Sequence, residues 1–367
     1  MRYGLIFLIL CFVVPLFGET KYAVMETRYG DVLYSRNMNA KGPMASTTKI
    51  MTALIYLEKG NKKNIVYTKK AYQMPTKNMF FRQGSVLTYK NALMGMLIAS
   101  SNDLAYSVAE NYGYDEFIYL MNKKAESLGM KNTHFVNPHG LDERGHYSSA
   151  YDMCLLGKYA MKNSEFRDLI KPQWTVTAWK GERKYQKRAE STFKDLYKIP
   201  ELRGIKTGTT TRAKHCFVGY FDIDGVSVVT CVLGSGNALQ ETKELFEYTK
   251  KNCVNKKVLD REYILSVCKE KVPVIIEKPV FVFCDKKSQI SHRFVIRSKP
   301  PMRKNTKIGE VIVYKNKKQI TKCDVICNKT IIMAKKDFVI SLILILLLCG
   351  VVYYNRDYLL SELKGIE

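Results

Sequence analysis

Acidic residues are scarce in this chain. Only 34 Asp and Glu stand against 59 Lys and Arg over 367 residues, a formal charge of +25 at pH 7. Such an excess points to an anionic partner or surface without saying which. Proline and glycine number only 10 and 22, and no long repeat or low-complexity tract is present, so a collagen-like fibre is excluded. Ten cysteines lie scattered without a tight framework, which excludes a disulfide-stapled miniprotein. Hydrophobic residues still make up 46% of the chain, and its 24 Tyr and 16 Phe can fill a sizeable core. That composition excludes a disordered polymer, and the length allows two or three domains.

Two apolar runs mark the ends. Leu5 to Phe17 follows Arg2 and ends at the small Gly18, so residues 1–18 are expected to be a secretory signal peptide. Phe338 to Tyr354 carries no charge and is bracketed by Lys335, Lys336, Asp337 and Arg356. The 18 residues between Asp337 and Arg356 make a helix of about 27 Å, just enough for a bilayer. Residues 338–354 are therefore expected to be a C-terminal transmembrane anchor and 355–367 a cytoplasmic tail. The body of the protein is expected outside the cytoplasm, on the cell membrane. Disulfides are permitted there, but their pairing cannot be read from spacing. Cys323 and Cys327 have no second His/Cys pair nearby and read as buried thiols.

Residues 19–252 read as one mixed α/β unit. Strands are expected at Tyr22–Glu26 and Val32–Ser35, joined through Gly30-Asp31. Helices follow at Thr48–Lys59, Lys90–Ala99, Asp103–Tyr112 and Asp115–Leu128. Cys216–Ile223 and Val226–Leu233 flank Asp224-Gly225, a tight-hairpin signal, and Thr242–Asn252 closes as a helix. Strands, then helices, then strands describe an antiparallel sheet completed by both ends of the unit, with a helical insert. Residues 253–333 change to short alternating segments, a small β domain. From Cys253 to Asp337 there are 21 Lys and Arg against 8 Asp and Glu, so this is the more densely charged part.

Three short motifs carry chemistry. Ser46-Thr47-Thr48-Lys49 opens an apolar helix and puts a hydroxyl and an amine on one face at i and i+3. Serine is a weak nucleophile until a base takes its proton. A lysine can be that base where desolvation and nearby positive charge lower its pKa. Ser100-Ser101-Asn102 falls between two helices, where a hydroxyl can relay a proton and an amide can hold a substrate amide. Lys206-Thr207-Gly208-Thr209 precedes the strand pair. Gly208 lets a ligand approach a strand edge, while Lys206, Thr207 and Thr209 offer a charge and two hydroxyls to an anionic substrate end. Each motif alone reads more simply as an N-cap or a solvated loop. Their combination in this order is far more specific.

With Phe135-Val136-Asn137-Pro138-His139-Gly140-Leu141-Asp142 and Gly204 to Thr209 in support, the chain resembles the penicillin-recognising serine D-alanyl-D-alanine carboxypeptidases. These are the low-molecular-mass penicillin-binding proteins. The resemblance covers about residues 20–252; the β domain and anchor fit the family's layout less specifically. It implies a β-lactamase/transpeptidase-like fold, a five-stranded antiparallel sheet with helices on both sides. It implies Ser46 as nucleophile, Lys49 as its base and Ser100 as the proton relay to the leaving D-alanine. It further implies Asn102, Lys206, Thr207, Gly208 and Thr209 as substrate-binding residues, with the N–H groups of Ser46 and Thr209 as an oxyanion hole. The implied substrate is a peptidoglycan stem peptide, β-lactams are the implied covalent inhibitors, and no metal or organic cofactor is implied. Two departures stand out. The middle motif is Ser-Ser-Asn where close relatives commonly have Ser-Gly-Asn. In Leu233-Gly234-Ser235-Gly236-Asn237 no carboxylate-binding Arg occurs, which leaves Arg203 and Arg212 as the nearby guanidiniums.

Other readings have their own signals. His134, His139 and His146, with Asp142, fall within 13 residues and raise a zinc peptidase, but no H-E-x-x-H is present and the spacing suits a loop. A β-lactamase uses the same opening steps and needs an efficient deacylating base. A non-catalytic wall-binding protein would use the basic domain alone, which is also placed to lie against an anionic surface. Nucleic acid is not an expected partner of an exported chain.

Overall fold

The computed structural model describes residues 20–170, 173–192, 199–332 and 344–345. The expected signal, 1–18, lies outside the described residues, as do the tail and all but two residues of the expected anchor. Among the described residues no helix is long and apolar enough to cross a membrane. The chain divides into two compact units, residues 1–254 with Phe283–Lys286, and residues 255–282 with 287–367.

The first unit opens with Lys21–Glu26 (β1) and Val32–Arg36 (β2), then helix Lys49–Lys59 (α1). Ile65–Val66 (β3), Lys69–Tyr72 (α2) and Val86–Leu87 (β4) lead to four helices: Tyr89–Ile98 (α3), Asn102–Tyr112 (α4), Tyr114–Ser127 (α5) and Ala150–Ala160 (α6). Ser164–Leu169 (α7) precedes strands Gln173–Lys180 (β5), Arg183–Glu190 (β6), Leu202–Thr210 (β7), Lys214–Ile223 (β8) and Val226–Ser235 (β9). Ala238–Asn252 (α8) follows. Side-chain oxygens of Thr88, Ser101, Ser149, Asn163 and Asn237 accept backbone N–H groups at the starts of α3, α4, α6, α7 and α8, so local polar residues set where these helices begin.

The main sheet has order β2-β1-β9-β8-β7, and every pairing in it is antiparallel. Both faces are buried. Ala23 and Met25 of β1 and Val229, Cys231 and Leu233 of β9 join the core formed with α1 and α3 to α6. Val24, Val228 and Val232 point the other way, into a core with Phe246 and Ala238 of α8. Period-two alternation between two apolar faces explains why these strands read as nearly continuous hydrophobic runs. Asp224 and Gly225, at φ 48° and 74°, make the tight β8–β9 turn that their dipeptide predicts. A smaller sheet, β3-β4-β5-β6, was not foreseen; its longest strand pair is polar on the outside and gives a weak alternating signal.

Beyond α8, Cys253–Leu259 (β10) precedes Glu262–Val267 (β11) and Glu270–Ile276 (β12). Val280–Asp285 (β13) pairs with β10, and Ile290–Ile296 (β14), Lys307–Lys315 (β15) and Lys318–Cys327 (β16) complete the chain of strands. The second unit is an antiparallel sheet of order β11-β12-β16-β15-β14, as expected of a small β domain. Val272, Val274, Ile276, Val311, Val313 and Val325 are buried on alternate positions. Among its many cations, Glu310 gathers three, Lys322 at 3.0 Å, Arg297 at 3.4 Å and Lys307 at 3.5 Å. Six of the eight described cysteines are buried.

Phe246 stacks on Phe221 at 4.7 Å between ring centroids and anchors α8 to the sheet. Phe246→Ala is expected to cost about 3–5 kcal/mol of unfolding free energy, read from urea denaturation.

Candidate active site

The turn before α1 is a 3-10 helix, Ala45–Thr48, running directly into Lys49. Such a turn eclipses residues three apart, which brings Ser46 and Lys49 together more closely than an α-helix would. Lys49 Nζ lies 2.8 Å from Ser46 Oγ. Its other partners are Asn102 Oδ1 at 2.7 Å and the His139 carbonyl at 2.6 Å. Lys49 is wholly buried, and Ser46 is 8% exposed. Burial, then the charges of Lys206 and Lys77, hold the Lys49 amine well below the usual lysine range, against an opposing pull from Asp103.

As an ammonium, Lys49 donates to all three of these oxygens; loss of a proton changes the Ser46 contact. A neutral amine has two N–H donors and one lone pair. The Asn102 and His139 oxygens can only accept, so they take both N–H groups. The lone pair is left for the Ser46 hydroxyl, the one partner able to donate. Asn102 is oriented by its Nδ2, which donates to the carbonyls of Pro75 at 3.1 Å and Thr76 at 3.0 Å.

The middle motif divides its work. Ser101 caps α4, its Oγ accepting from Leu104 N at 3.3 Å, so the helix start does not consume Ser100 or Asn102. Ser100 adopts φ 59°, and its buried hydroxyl has no hydrogen-bond partner. Asp103 was not foreseen. Its carboxylate accepts from Tyr67 Oη at 2.6 Å and from Met79 and Phe80 N–H at 2.8 and 2.9 Å, pinning the segment that holds Asn102. An acid in the first turn of a helix was the available signal.

Lys206-Thr207-Gly208-Thr209 lies within β7, itself a strand at one edge of the main sheet and the one preceding the β8–β9 pair. A Cβ on Gly208 would come within 2.9 Å of Ser46 N, so only glycine lets this strand touch the turn bearing Ser46. Lys206 is wholly buried, and its amine is pushed down to about 7 by burial and then by Lys77. Thr207 Oγ1 meets Thr192 Oγ1, and Thr209 Oγ1 lies 3.1 Å from His215 Nδ1. Arg203 is engaged by Asp222 at 3.3 Å, and Arg212 N donates to Asp142.

The loop Asn137–Asp142 backs the turn. Thr52 Oγ1 donates to the Pro138 carbonyl at 2.6 Å, and Gly140, at φ 89°, packs so close that a Cβ would strike the Ala45 carbonyl. A directional chain reaches the same carbonyl. Val136 N–H donates to His146 Nδ1 at 3.2 Å, His146 Nε2–H donates to Thr48 Oγ1 at 2.8 Å, and Thr48 donates to Ala45 O at 2.8 Å. His139 Nδ1 accepts from Leu141 N, and His134 Nδ1 meets Gly145 O. The three histidines thus serve the loop. Among the described residues no group of three or more His, Cys, Asp or Glu could hold a metal ion.

A family model for D-alanyl-D-alanine carboxypeptidase matches residues 17–237. The chain belongs to this family. A second model, for the C-terminal domain of penicillin-binding protein 5, matches residues 248–332. A carboxypeptidase relative, DacF of Bacillus subtilis, is 35% identical over 62% of this chain and 60% of its own length, so the aligned part spans less than two thirds of that relative. A D-alanyl-D-alanine carboxypeptidase of Streptomyces is 30% identical over 58% of this chain and 79% of its own. A solved Streptomyces DD-transpeptidase superposes with TM-score 0.59 at 26% identity, over 62% of this chain and 95% of that one. Penicillin-binding protein 5 of Haemophilus influenzae superposes with TM-score 0.68 over 87% of this chain and 98% of that one, at 22% identity, a likeness of fold. The carboxypeptidase family fold thus accounts for both the α/β unit and the β-rich unit.

Gly208→Ala is expected to slow acylation of Ser46 by about 100-fold, read by stopped-flow with a reporter penicillin, because the added methyl displaces the turn. A second expectation concerns acid. Burial first, then neighbouring cations, pushes His139 and His146 from 6.5 down to about 3. The unfolded chain therefore binds protons that the folded one refuses as pH falls from about 6.5 toward 3, and stability drops across that window. Urea midpoints measured from pH 8 to 4 should trace the fall, with a shallower slope in His146→Gln.

Proposed function

We propose that this protein is a serine D-alanyl-D-alanine carboxypeptidase that removes the terminal D-alanine from peptidoglycan stem peptides and is acylated by β-lactams. The observation carrying this reading is the wholly buried Lys49 amine, held 2.8 Å from Ser46 Oγ. Ser46 attacks the carbonyl of the penultimate D-alanine, and Lys49 takes its proton. The N–H groups of Ser46 and Thr209 receive the developing oxyanion, at about 3 kcal/mol per donor. The partnerless Ser100 hydroxyl passes a proton to the leaving D-alanine nitrogen. Asn102 holds the peptide, and Lys206, Thr207 and Thr209 hold its carboxylate, with Gly208 keeping the strand close. Water then releases the acyl group and restores Ser46.

The composition of the two apolar runs supports an extracytoplasmic catalytic unit, 19–252, and a basic β domain, 253–333, held to the cell membrane by residues 338–354. Removing residues 338–367 is expected to move the protein from the membrane pellet to the supernatant on fractionation.

Labelling with a reporter penicillin, followed by peptide mapping, is expected to place the adduct on Ser46, and Ser46→Ala to abolish both labelling and D-alanine release. Lys49→Ala should lower the acylation rate by about 10²–10⁴-fold, the usual worth of a general base. A long-lived adduct fits the carboxypeptidase. Rapid turnover of penicillin without D-alanine release would instead make the protein a β-lactamase, and absence of both would leave a wall-binding protein.

A further inference from the structure

We propose that His215 completes the carboxylate end of the site and makes binding of the peptide tail depend on its own protonation. The proposal rests on the substrate reading above and deepens it. His215 stands on β8 directly across from Thr209 of β7, and on its other side it pairs with Ser235 of β9. It thus joins the strand expected to bind carboxylate to the Leu233–Asn237 stretch, where no arginine occurs. Of the two candidate guanidiniums, Arg203 is taken by Asp222, and Arg212 sits in the β7–β8 turn, where Asp142 holds its backbone N–H and Thr210. His215 is exposed, and its Nδ1 lies 3.1 Å from Thr209 Oγ1.

That distance couples a proton to a donor. When the imidazole is neutral with its hydrogen on Nε2, Nδ1 accepts the Thr209 hydroxyl hydrogen, which is then withheld from a ligand. When the imidazole is protonated, Nδ1–H donates to Thr209 Oγ1. The hydroxyl hydrogen is released to a carboxylate, and a positive charge arrives beside it. The ionisable groups around His215 are few. β7 presents Thr209 and, three residues earlier, the buried Lys206. β9 presents Ser235, whose hydroxyl donates to Glu241 of α8 at 2.8 Å. The β7–β8 turn carries Arg212 and Lys214 and is gripped by Asp142.

The test compares KM and kcat for a D-alanyl-D-alanine peptide from pH 5.5 to 8 in wild type, His215→Gln and His215→Arg. Titration of Lys206 is common to all three curves and cancels in their ratios. In wild type KM is expected to rise about tenfold more than in the Gln variant, the worth of one charge-assisted hydrogen bond, with the effect concentrated in KM. The Arg variant should keep the low KM across the range. A substrate ending in a carboxamide should erase the difference. Parallel curves for wild type and His215→Gln overturn the proposal, as does an Arg variant that follows Gln. If penicillin labels Ser46 but no D-alanine is released, the substrate reading fails by itself. The acylation rate by benzylpenicillin, which carries its own carboxylate, then decides His215 by the same ratio. If neither reaction occurs, both readings fall.

Discussion

One buried amine organises this unit. Lys49 is wholly buried, so a charge there is costly, and three oxygens surround its amine. Two of them, an amide oxygen and a backbone carbonyl, come from distant parts of the chain. Each is held by its own supports: Asn102 by the carbonyls of Pro75 and Thr76, His139 by the loop that Thr52 and Asn137 tie down. Much of the helical layer can be understood as scaffolding for those two oxygens. The second lysine, Lys206, lies equally deep and adds positive potential, which further disfavours charge on the first.

Much of the fold was legible from sequence because its strands and helices obey simple periods. β1, β8 and β9 announce themselves as apolar runs, and Asp224-Gly225 fixes the turn between the last two. The polar hairpin β5–β6 was not legible, since an exposed ribbon lacks the burial contrast that periodicity reads. β7 was half legible. Its Lys-Thr-Gly-Thr segment was recognised and set just before the strand pair, beside a strand edge, but not as a strand itself, because a lysine and a glycine both argue against strand in isolation. Only the contact of Gly208 with Ser46 N explains why they sit there.

The site was legible to the extent that chemistry repeats in short words. Ser46, Lys49 and Asn102 meet through hydrogen bonds, and Gly208 meets Ser46 through contact. Ser100 stays buried with its hydroxyl uncommitted because Ser101 takes the capping duty that a serine before a helix normally performs. That is the physical meaning of the second serine in this motif. The supporting residues were beyond reach. Asp103, His146 and Thr48 act over tens of positions through the backbone of other segments, and no local pattern encodes such a partnership.

The closeness of Gly208 to Ser46 has a consequence for the order of events in the life of a molecule. Residue 46 and its lysine emerge early in synthesis, while the strand that touches them emerges some 160 residues later. Until β7, β8 and β9 have been made and β9 has slotted beside β1, Ser46 has neither its glycine neighbour nor a sheet to stand on. The surroundings of the Ser46–Lys49 pair are therefore assembled last, with the closure of the whole unit.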